Sequence, residues 1–178
     1  GGHRWTHAIG GGCDHLRLSG DGTTVCCIDG GRHLHMLTEN GVKRGRFTAG
    51  ELVSMSVARD GTGVAVADDE GFVHVLDSNG NKRWSRAPEA ETGETVSAMC
   101  FLHDGSLLLC REVLGITPSE VAQIALERWS STGEILHSEE IDSRSVCLIA
   151  DGVGALSGQF DGTVLKLNDD LTSTRIWK

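Results

Sequence analysis

A turn signal that recurs four times is the feature that most constrains the fold of this chain. Asp-Gly pairs stand at 21–22, 60–61, 104–105 and 151–152, spaced by 39, 44 and 47 residues. Asp-Gly accepts the positive φ angles of tight β-hairpin turns, and a period of roughly 40 to 50 residues is typical of propeller blades. The sequence therefore predicts four copies of a hairpin-based unit.

The copies share one internal order. Apolar residues stand six and four positions before each of these glycines: Leu16 and Leu18, Met55 and Val57, Met99 and Phe101, Val146 and Leu148. Two further turn signals follow in each copy, with Leu171 in the last glycine position of the fourth. Each unit is thus predicted to be a four-stranded antiparallel meander, with strands a, b, c and d.

The second strand of the units separates two possible architectures. VCCI, VAVA and LLLC are apolar on both faces, whereas a sheet with one solvated face alternates apolar and polar residues. Stacking each sheet between two neighbours buries both faces, which favours a propeller over a sandwich. We therefore expect an all-β, β-propeller-type array of four four-stranded antiparallel blades.

The whole chain, 1–178, is predicted to be one domain. The expected units are 13–50 for blade 1, 51–95 for blade 2, 96–143 for blade 3 and 144–178 for blade 4. Residues 1–12 are interpreted as the outer strand of a preceding blade, because Arg4-Trp5 and its neighbours repeat the strand around Arg83-Trp84. Four consecutive blades of a larger propeller, or a half-ring that pairs with a second copy, are expected; a closed four-bladed ring with one terminal tail is the alternative.

Two stretches resemble a known repeat. VAVADDEGFVHVLDSNGNKRW, and more weakly ALSGQFDGTVLKLNDDLTSTRIW, resemble the repeat of PQQ-like propellers, with a small apolar strand b, an acidic-Gly turn, strand c ending in Leu-Asp and a Trp on strand d. The WD40 repeat is similar too, and ERWSSTGE resembles its strand c, although its Gly-His and Trp-Asp marks are absent. Both resemblances imply a propeller fold.

The PQQ-like resemblance raises the question of an enzyme. Quinoprotein dehydrogenases carry a vicinal disulfide against their quinone, and Cys26-Cys27 are adjacent here. These residues fall within a predicted strand, where neighbouring side chains point to opposite faces, and no calcium-binding carboxylate set or catalytic Asp is found by motif. We expect free thiols, no cofactor and no catalytic residues.

A metal site is likewise not expected. His33 and His35 lie two apart on strand c, so they share a face and form a possible half-site. A stable zinc site needs at least three protein ligands, and the sequence indicates no third one. No metal is therefore predicted.

Charge and hydropathy limit the partners. Sixteen Lys and Arg residues against 25 Asp and Glu residues give a net charge of −9, which argues against nucleic acid or a membrane surface, since both require clustered positive charge. The sequence has no stretch of about 20 apolar residues. Six scattered cysteines without metal-binding spacing favour a reducing compartment, so a cytoplasmic location is expected.

Two irregular segments are the candidates for recognition, because rigid scaffolds place binding residues on loops. The first, residues 87–95, holds Glu89, Glu91 and Glu94 and suits a basic partner, with a solvated acidic loop as the alternative. The second is an insertion in the third unit. It is predicted either to lengthen strands b and c into a long hairpin or to form a helical turn at Thr117-Pro118-Ser119-Glu120.

The insertion would place three apolar residues, Val113, Leu114 and Ile116, in partial exposure. They form a docking surface unless they pack on the next blade. The function predicted is a non-catalytic protein-interaction scaffold that recognises protein partners through its rim loops. The alternatives are a ligand-binding or enzymatic propeller with its site at the channel mouth, and a structural segment of a large multidomain protein.

Overall fold

The computed structural model describes residues 4–30, 32–91, 93–115 and 121–177. In these residues it contains sixteen β-strands in four antiparallel four-stranded sheets, and each sheet uses its strands in chain order. The described residues contain no helix, and accordingly no helix that could cross a membrane. The predicted all-β fold of four meander blades is confirmed.

The first two blades cover the region up to Arg86. Blade 1 contains β1 (Cys13–Leu18), β2 (Thr24–Asp29), β3 (His33–Thr38) and β4 (Lys43–Thr48). Blade 2 contains β5 (Leu52–Val57), β6 (Gly63–Asp68), β7 (Val73–Asp77) and β8 (Lys82–Arg86).

The other two blades follow with longer strands in blade 3. This blade contains β9 (Glu94–Phe101), β10 (Leu107–Leu114), β11 (Val121–Trp129) and β12 (Ile135–Glu140). Blade 4 contains β13 (Ser145–Asp151), β14 (Gly154–Gln159), β15 (Val164–Leu167) and β16 (Ser173–Trp177).

The turn between strands a and b is formed by the repeated Asp-Gly pair. Gly61 has a φ of 68°, a conformation that glycine adopts without steric cost. The Asp60 carboxylate accepts a hydrogen bond of 3.0 Å from the Thr62 N–H, as in an Asx turn. Asp21 and Asp104 make the same bond to the N–H two residues ahead. These turns thus owe their shape to local chemistry.

The core lies between consecutive blades rather than within one of them. All six residues of β6 are buried. Val64 and Val66 belong to the apolar cluster shared with blade 1, whereas Ala65 and Ala67 belong to the cluster shared with blade 3. A third cluster joins blades 3 and 4. Strand b of blade 2 is therefore buried on both faces, as predicted.

Strand a of blade 4 departs from the alignment based on glycine positions. Ala150 pairs with Ala155 at the turn, in the place where Val57 pairs with Val64 in blade 2. The Asp151-Gly152 turn is tighter than its counterparts, so β13 shifts by two residues. Leu148 consequently takes the place that Met55 has in blade 2, and Val146 falls at the irregularity in the pairing between Ser145 and Cys147. Leu148 is 7% exposed and Val146 is 52% exposed.

Residues 4–12 were expected to be an outer strand, but they are not assigned to a paired strand. They still occupy the place of one, because the Trp5 Nε1–H donates to the Glu39 carbonyl at 2.8 Å and the indole covers Gly41. Trp84 of β8 does the same on blade 3, where it donates to the Ser131 carbonyl at 2.8 Å. In both cases an indole docks on the c–d turn of the following blade.

The two terminal blades each leave a face open. On blade 1, Leu16 and Leu18 are 60% and 61% exposed, whereas Met99, the counterpart of Leu16 in blade 3, is 6% exposed. On blade 4, Ile149 and Trp177 are 57% and 71% exposed. The array is an open arc, so the alternative of a closed four-bladed ring is not what the structure contains.

Gly45 marks a close approach between blades 1 and 2. It pairs with Met36 as Trp84 pairs with Val75, so it takes the Trp position of its blade. A Cβ at Gly45 would overlap the backbone carbonyl of Asn79 in the c–d turn of blade 2.

Gly45→Ala is therefore expected to lower the free energy of unfolding by about 1–3 kcal/mol, because a methyl group forced against backbone overpacks the blade interface. Gly158→Ala is the matched control, since a Cβ there meets nothing closer than 3.8 Å. Urea unfolding followed by tryptophan fluorescence measures both. Equal midpoints for the two variants would contradict the close approach.

Candidate functional site

The two segments that the sequence singled out lie side by side. The 87–93 connection and the β10–β11 turn fall at the same end of the blades, because strands alternate in direction within each meander. The Leu114 N–H donates to the Gly93 carbonyl at 3.0 Å, which joins the two segments. We call this end the rim, and the group Glu89, Glu91, Val113 and Leu114 the rim patch.

The insertion in blade 3 lengthens the b–c hairpin. β10 and β11 pair continuously from Leu107 opposite Trp129 to Val113 opposite Gln123, with an irregularity before Leu114 and Val121. The long hairpin is thus what the described residues show. Val113 and Leu114 are half-buried near its end. Ile116 and the Thr117–Glu120 segment lie outside the described residues.

The three glutamates of the acidic connection differ in environment. Glu89 is exposed and forms an ion pair with Arg86, and Glu91 is exposed. Glu94 is 5% exposed and begins β9, two residues before the expected start of blade 3. Glu94 is therefore not part of the acidic surface on which it was expected. Its carboxylate instead accepts hydrogen bonds from the Glu89 and Ala90 N–H groups at 3.0 and 2.9 Å.

Arg111 links Glu94 to the core of blade 3. Its guanidinium donates to Glu94 at 2.9 Å and to Glu127 at 2.5 Å, and the other Glu127 oxygen accepts from the Trp129 indole N–H at 2.9 Å. Burial opposes the charge of the guanidinium, but the hydrogen bonds and charges of Glu127 and then Glu94 outweigh it and raise the pKa of Arg111. The rim patch therefore stands on a buried ionic network.

The Arg111–Glu127 pair has counterparts in two other blades. The last residue of strand b meets a residue of strand c across one diagonal: Asp29 with His35 at 2.7 Å and Asp68 with His74 at 3.4 Å. In blade 4 the same diagonal joins Gln159 and Leu165, which carry no charge. Sequence reasoning missed the two aspartates, although an Asp six residues before an equivalent His occurs twice.

The blade 2 pair is fully satisfied. The Ser85 hydroxyl lies 2.7 Å from Nδ1 of His74, while Nε2 faces Asp68. Burial lowers the pKa of His74, and the hydrogen bond to Asp68 only partly offsets this. His74 is consequently a neutral, structural residue near pH 7.

The inner strands enclose an open groove. It has a volume of about 670 Å³ and is lined by strand a of all four blades, with serines such as Ser54, Ser56 and Ser97 among the apolar residues. The Ser56 hydroxyl already accepts a hydrogen bond from the Phe101 N–H at 3.0 Å. Within the part of the chain that the structure describes, no group of three His, Cys, Asp or Glu residues could hold a metal.

Cys26 and Cys27 lie in β2. Both are free thiols, as are the other four cysteines of the chain. Cys26 belongs to the apolar cluster between blades 1 and 2, and the alternation of the strand turns Cys27 to the opposite face. Burial raises the pKa of Cys26 to about 12, which keeps it protonated and unreactive. The pair thus has the environment of packing residues.

Comparison with known proteins identifies the fold. The chain matches no protein-family model and no curated protein by sequence. Among solved structures, the WD40 repeats of RRP9 superpose with a TM-score of 0.73 at 11% identity, over 96% of this chain and 52% of that one. U3-55K gives a TM-score of 0.73 at 11% identity, over 96% and 53%.

A protein of unknown function from Bacteroides caccae is similar over 82% of this chain and 53% of its own, with a TM-score of 0.57 at 13% identity. The chain thus spans about half the length of the structures it matches. Its fold is a β-propeller-type array of blades, similar to those of these WD40-repeat structures. The PQQ-like resemblance is not confirmed, and the WD40 resemblance is supported at the level of fold.

Arg111→Met is expected to lower the free energy of unfolding by about 3–5 kcal/mol, because it leaves two buried carboxylates without their cation. Lys166→Met is the control, since Lys166 forms an exposed pair with Asp151 at 3.5 Å and such pairs contribute less than about 1 kcal/mol. Thermal and urea unfolding measure both variants. Similar losses would show that the buried network does not stabilise blade 3.

Proposed function

We propose that this chain is a non-catalytic protein-interaction scaffold that binds its partner through the rim patch. The observation that carries the proposal is the ordered geometry of the patch: exposed Glu89 and Glu91 lie on a connection that is fixed by the buried Glu94 and the partly buried Arg111. A recognition loop that is already ordered loses less conformational entropy on binding. The similarity of the fold to WD40-repeat structures also supports the proposal, because a rigid stack of blades can hold binding residues on its loops.

The chemistry of the rim patch indicates the class of partner. Two exposed carboxylates, of which that of Glu89 is paired with Arg86, lie beside the half-buried Val113 and Leu114, so the patch combines negative charge with apolar area. A protein segment that carries Lys or Arg next to an apolar residue complements both features. The net charge of −9 favours such a basic partner from a distance as well.

The rim patch is tested by charge reversal. Glu89→Lys with Glu91→Lys is expected to remove the bound partner, because the favourable charge contacts become repulsive. Glu39→Lys with Glu134→Lys is the matched control, since both residues are exposed and lie between strands c and d, at the opposite end of the blades from the rim. Affinity capture from the source cells with quantitative mass spectrometry compares the three proteins. Identical partner sets for all three would refute rim-patch recognition.

We further propose that additional blades cover the two open faces, either from a longer chain or from a second copy. The support is that Leu16 and Leu18 on one face, and Ile149 and Trp177 on the other, expose apolar area of the kind that the inner blades bury. Burial of apolar surface stabilises such contacts by roughly 25 cal/mol per Å². An arc of half a WD40-type ring would then become a closed one.

The 178-residue chain alone is expected to self-associate through these faces, and Ile149→Asp to weaken this association by placing a charge in it. Leu136→Asp serves as the control, because Leu136 is similarly exposed at 48% on the outer strand β12. Sedimentation equilibrium over a range of concentrations measures the association. A chain that stays monomeric at all concentrations would contradict self-association and would leave blades of a longer protein as the proposed cover.

A further inference from the structure

The groove between the inner strands differs in charge from the rest of the protein. Among the described residues that line its volume of about 670 Å³ there is no aspartate or glutamate, although the chain has a net charge of −9. The lining includes Arg17, Arg59, His15 and His103 instead. Such a groove attracts an anionic group that most of the surface repels. We call it the cationic groove.

Arg17 enters the groove from blade 1. It stands on β1 opposite Cys26, the register position that Ser56 has on β5 opposite Ala65. The Ser56 hydroxyl is used within the stack of blades. Arg17, in contrast, is exposed, and one of its guanidinium nitrogens donates to the carbonyl of the preceding Leu16 at 3.0 Å. The other N–H groups of this guanidinium are therefore available to a ligand.

Arg59 enters the groove from the a–b turn of blade 2. Its carbonyl accepts a hydrogen bond of 2.9 Å from the Asp21 N–H in the corresponding turn of blade 1. Its side-chain stem lies against Gly20, because a Cβ at that glycine would be only 2.6 Å from Cγ of Arg59. The position of this cation is therefore fixed by two blades, at the end of the groove opposite to the rim.

Both arginines of the groove lack a carboxylate of their own. The ion pairs that arginines form among the described residues belong to Arg86, Arg111, Arg128 and Arg144. The carboxylates of the adjoining a–b turns, Asp21 and Asp60, accept hydrogen bonds from Thr23 and Thr62 of the same turns. A carboxylate of a ligand would therefore meet two guanidinium groups that have no ion-pair partner within the described chain.

Apolar side chains form much of the remaining wall of the groove. Val53 and Phe101 are half-buried there, and Ile149 is 57% exposed. A ligand that carries charge alone would leave this apolar surface in water, whereas a ligand that also carries apolar side chains buries it. Nucleic acid has no such side chains and requires a larger cluster of positive charge.

We infer that the cationic groove binds an acidic peptide segment of a partner protein, one that carries both carboxylates and apolar side chains. Arg17 and Arg59 bind the carboxylates, since a guanidinium matches the two oxygens of a carboxylate. The apolar side chains of the segment pack on the wall between them. This site goes beyond the proposed rim patch, because it lies towards the other end of the blades and selects the opposite charge.

The test uses a synthetic peptide composed of glutamate and leucine as the probe. A glutamine–leucine peptide removes the charge, a glutamate–serine peptide removes the apolar side chains, and a single-stranded oligothymidylate represents nucleic acid. Isothermal titration calorimetry measures the affinities. Saturable binding of the glutamate–leucine peptide is the expected result, with roughly tenfold weaker binding of the other two peptides and an affinity that falls as salt is added.

Arg17→Glu and Arg59→Glu are each expected to weaken binding of the glutamate–leucine peptide roughly tenfold or more, because an attraction becomes a repulsion. Arg175→Glu is the matched control, since Arg175 is exposed on β16 and is not part of the groove lining. Arg17 and Arg59 are also exposed, so all three variants are expected to keep the urea unfolding midpoint of the unaltered chain.

Four results would overturn the inference: no saturable binding of the glutamate–leucine peptide, equally tight binding of the glutamine–leucine peptide, tighter binding of oligothymidylate, or equal weakening by all three arginine variants. None of these measurements depends on Glu89 or Glu91. The cationic groove and the rim patch can therefore fail independently of each other.

Discussion

The burial of apolar sheet faces between consecutive blades is the interaction on which the rest of this structure depends. A single repeat of this kind cannot bury its apolar faces alone, and stacked neighbours bury them; here every apolar cluster is shared by two blades. The blades are therefore stable as a stack, and the residues at their ends inherit fixed positions from it. The close fit of Gly45 against the next turn is one consequence of this tight stacking.

The diagonal pair of strands b and c shows how the rim is built on that stack. One backbone geometry places two side chains diagonally across strands b and c in each blade. The pair lies at the end of strand b in blades 1 and 2, whereas in blade 3 strand b continues from Arg111 to Leu114. The sequence changes the chemistry of the pair: Asp with His in two blades, Arg with Glu in the third. Where a third group completes the pair, as Ser85 does for His74, the site is closed and structural. Where Arg46 stands instead, opposite His35, the Nδ1 nitrogen of that histidine has no partner among the described residues.

Much of the fold was predictable because its turns are local. Asp-Gly followed by Ser or Thr defines a hairpin turn through local hydrogen bonds, as the Asp60 turn shows. The b strands, which are apolar on both faces, indicated that the sheets are stacked. The register of β13 was not predictable, because a tighter turn at Gly152 moves the strand by two residues and leaves Val146 at an irregularity in the pairing. The conformation of Leu171 could not be predicted from its residue type either. It has a φ of 66° at a turn position where the other blades have glycine, and its side chain is buried in the apolar cluster between blades 3 and 4.

The candidate sites were less predictable, since they depend on contacts between segments distant in sequence. Glu94 was predicted to belong to an acidic surface because two other glutamates are close to it in the sequence. Its carboxylate is instead buried and hydrogen-bonded to Arg111, seventeen residues later in the chain. The cationic groove combines Arg17 of β1 with Arg59 from the a–b turn of blade 2. The repeat gives these two residues different positions, and only the blade geometry brings them to one surface.

The two sites also differ in their dependence on neighbouring blades. The network under the rim patch lies in blade 3, which is packed on both faces by blades 2 and 4. The cationic groove is formed by strand a of all four blades. A blade added at either end of the arc would bring a further strand a to it. The width and charge of the groove would then respond to ring completion, whereas the rim patch, fixed from within blade 3, would not.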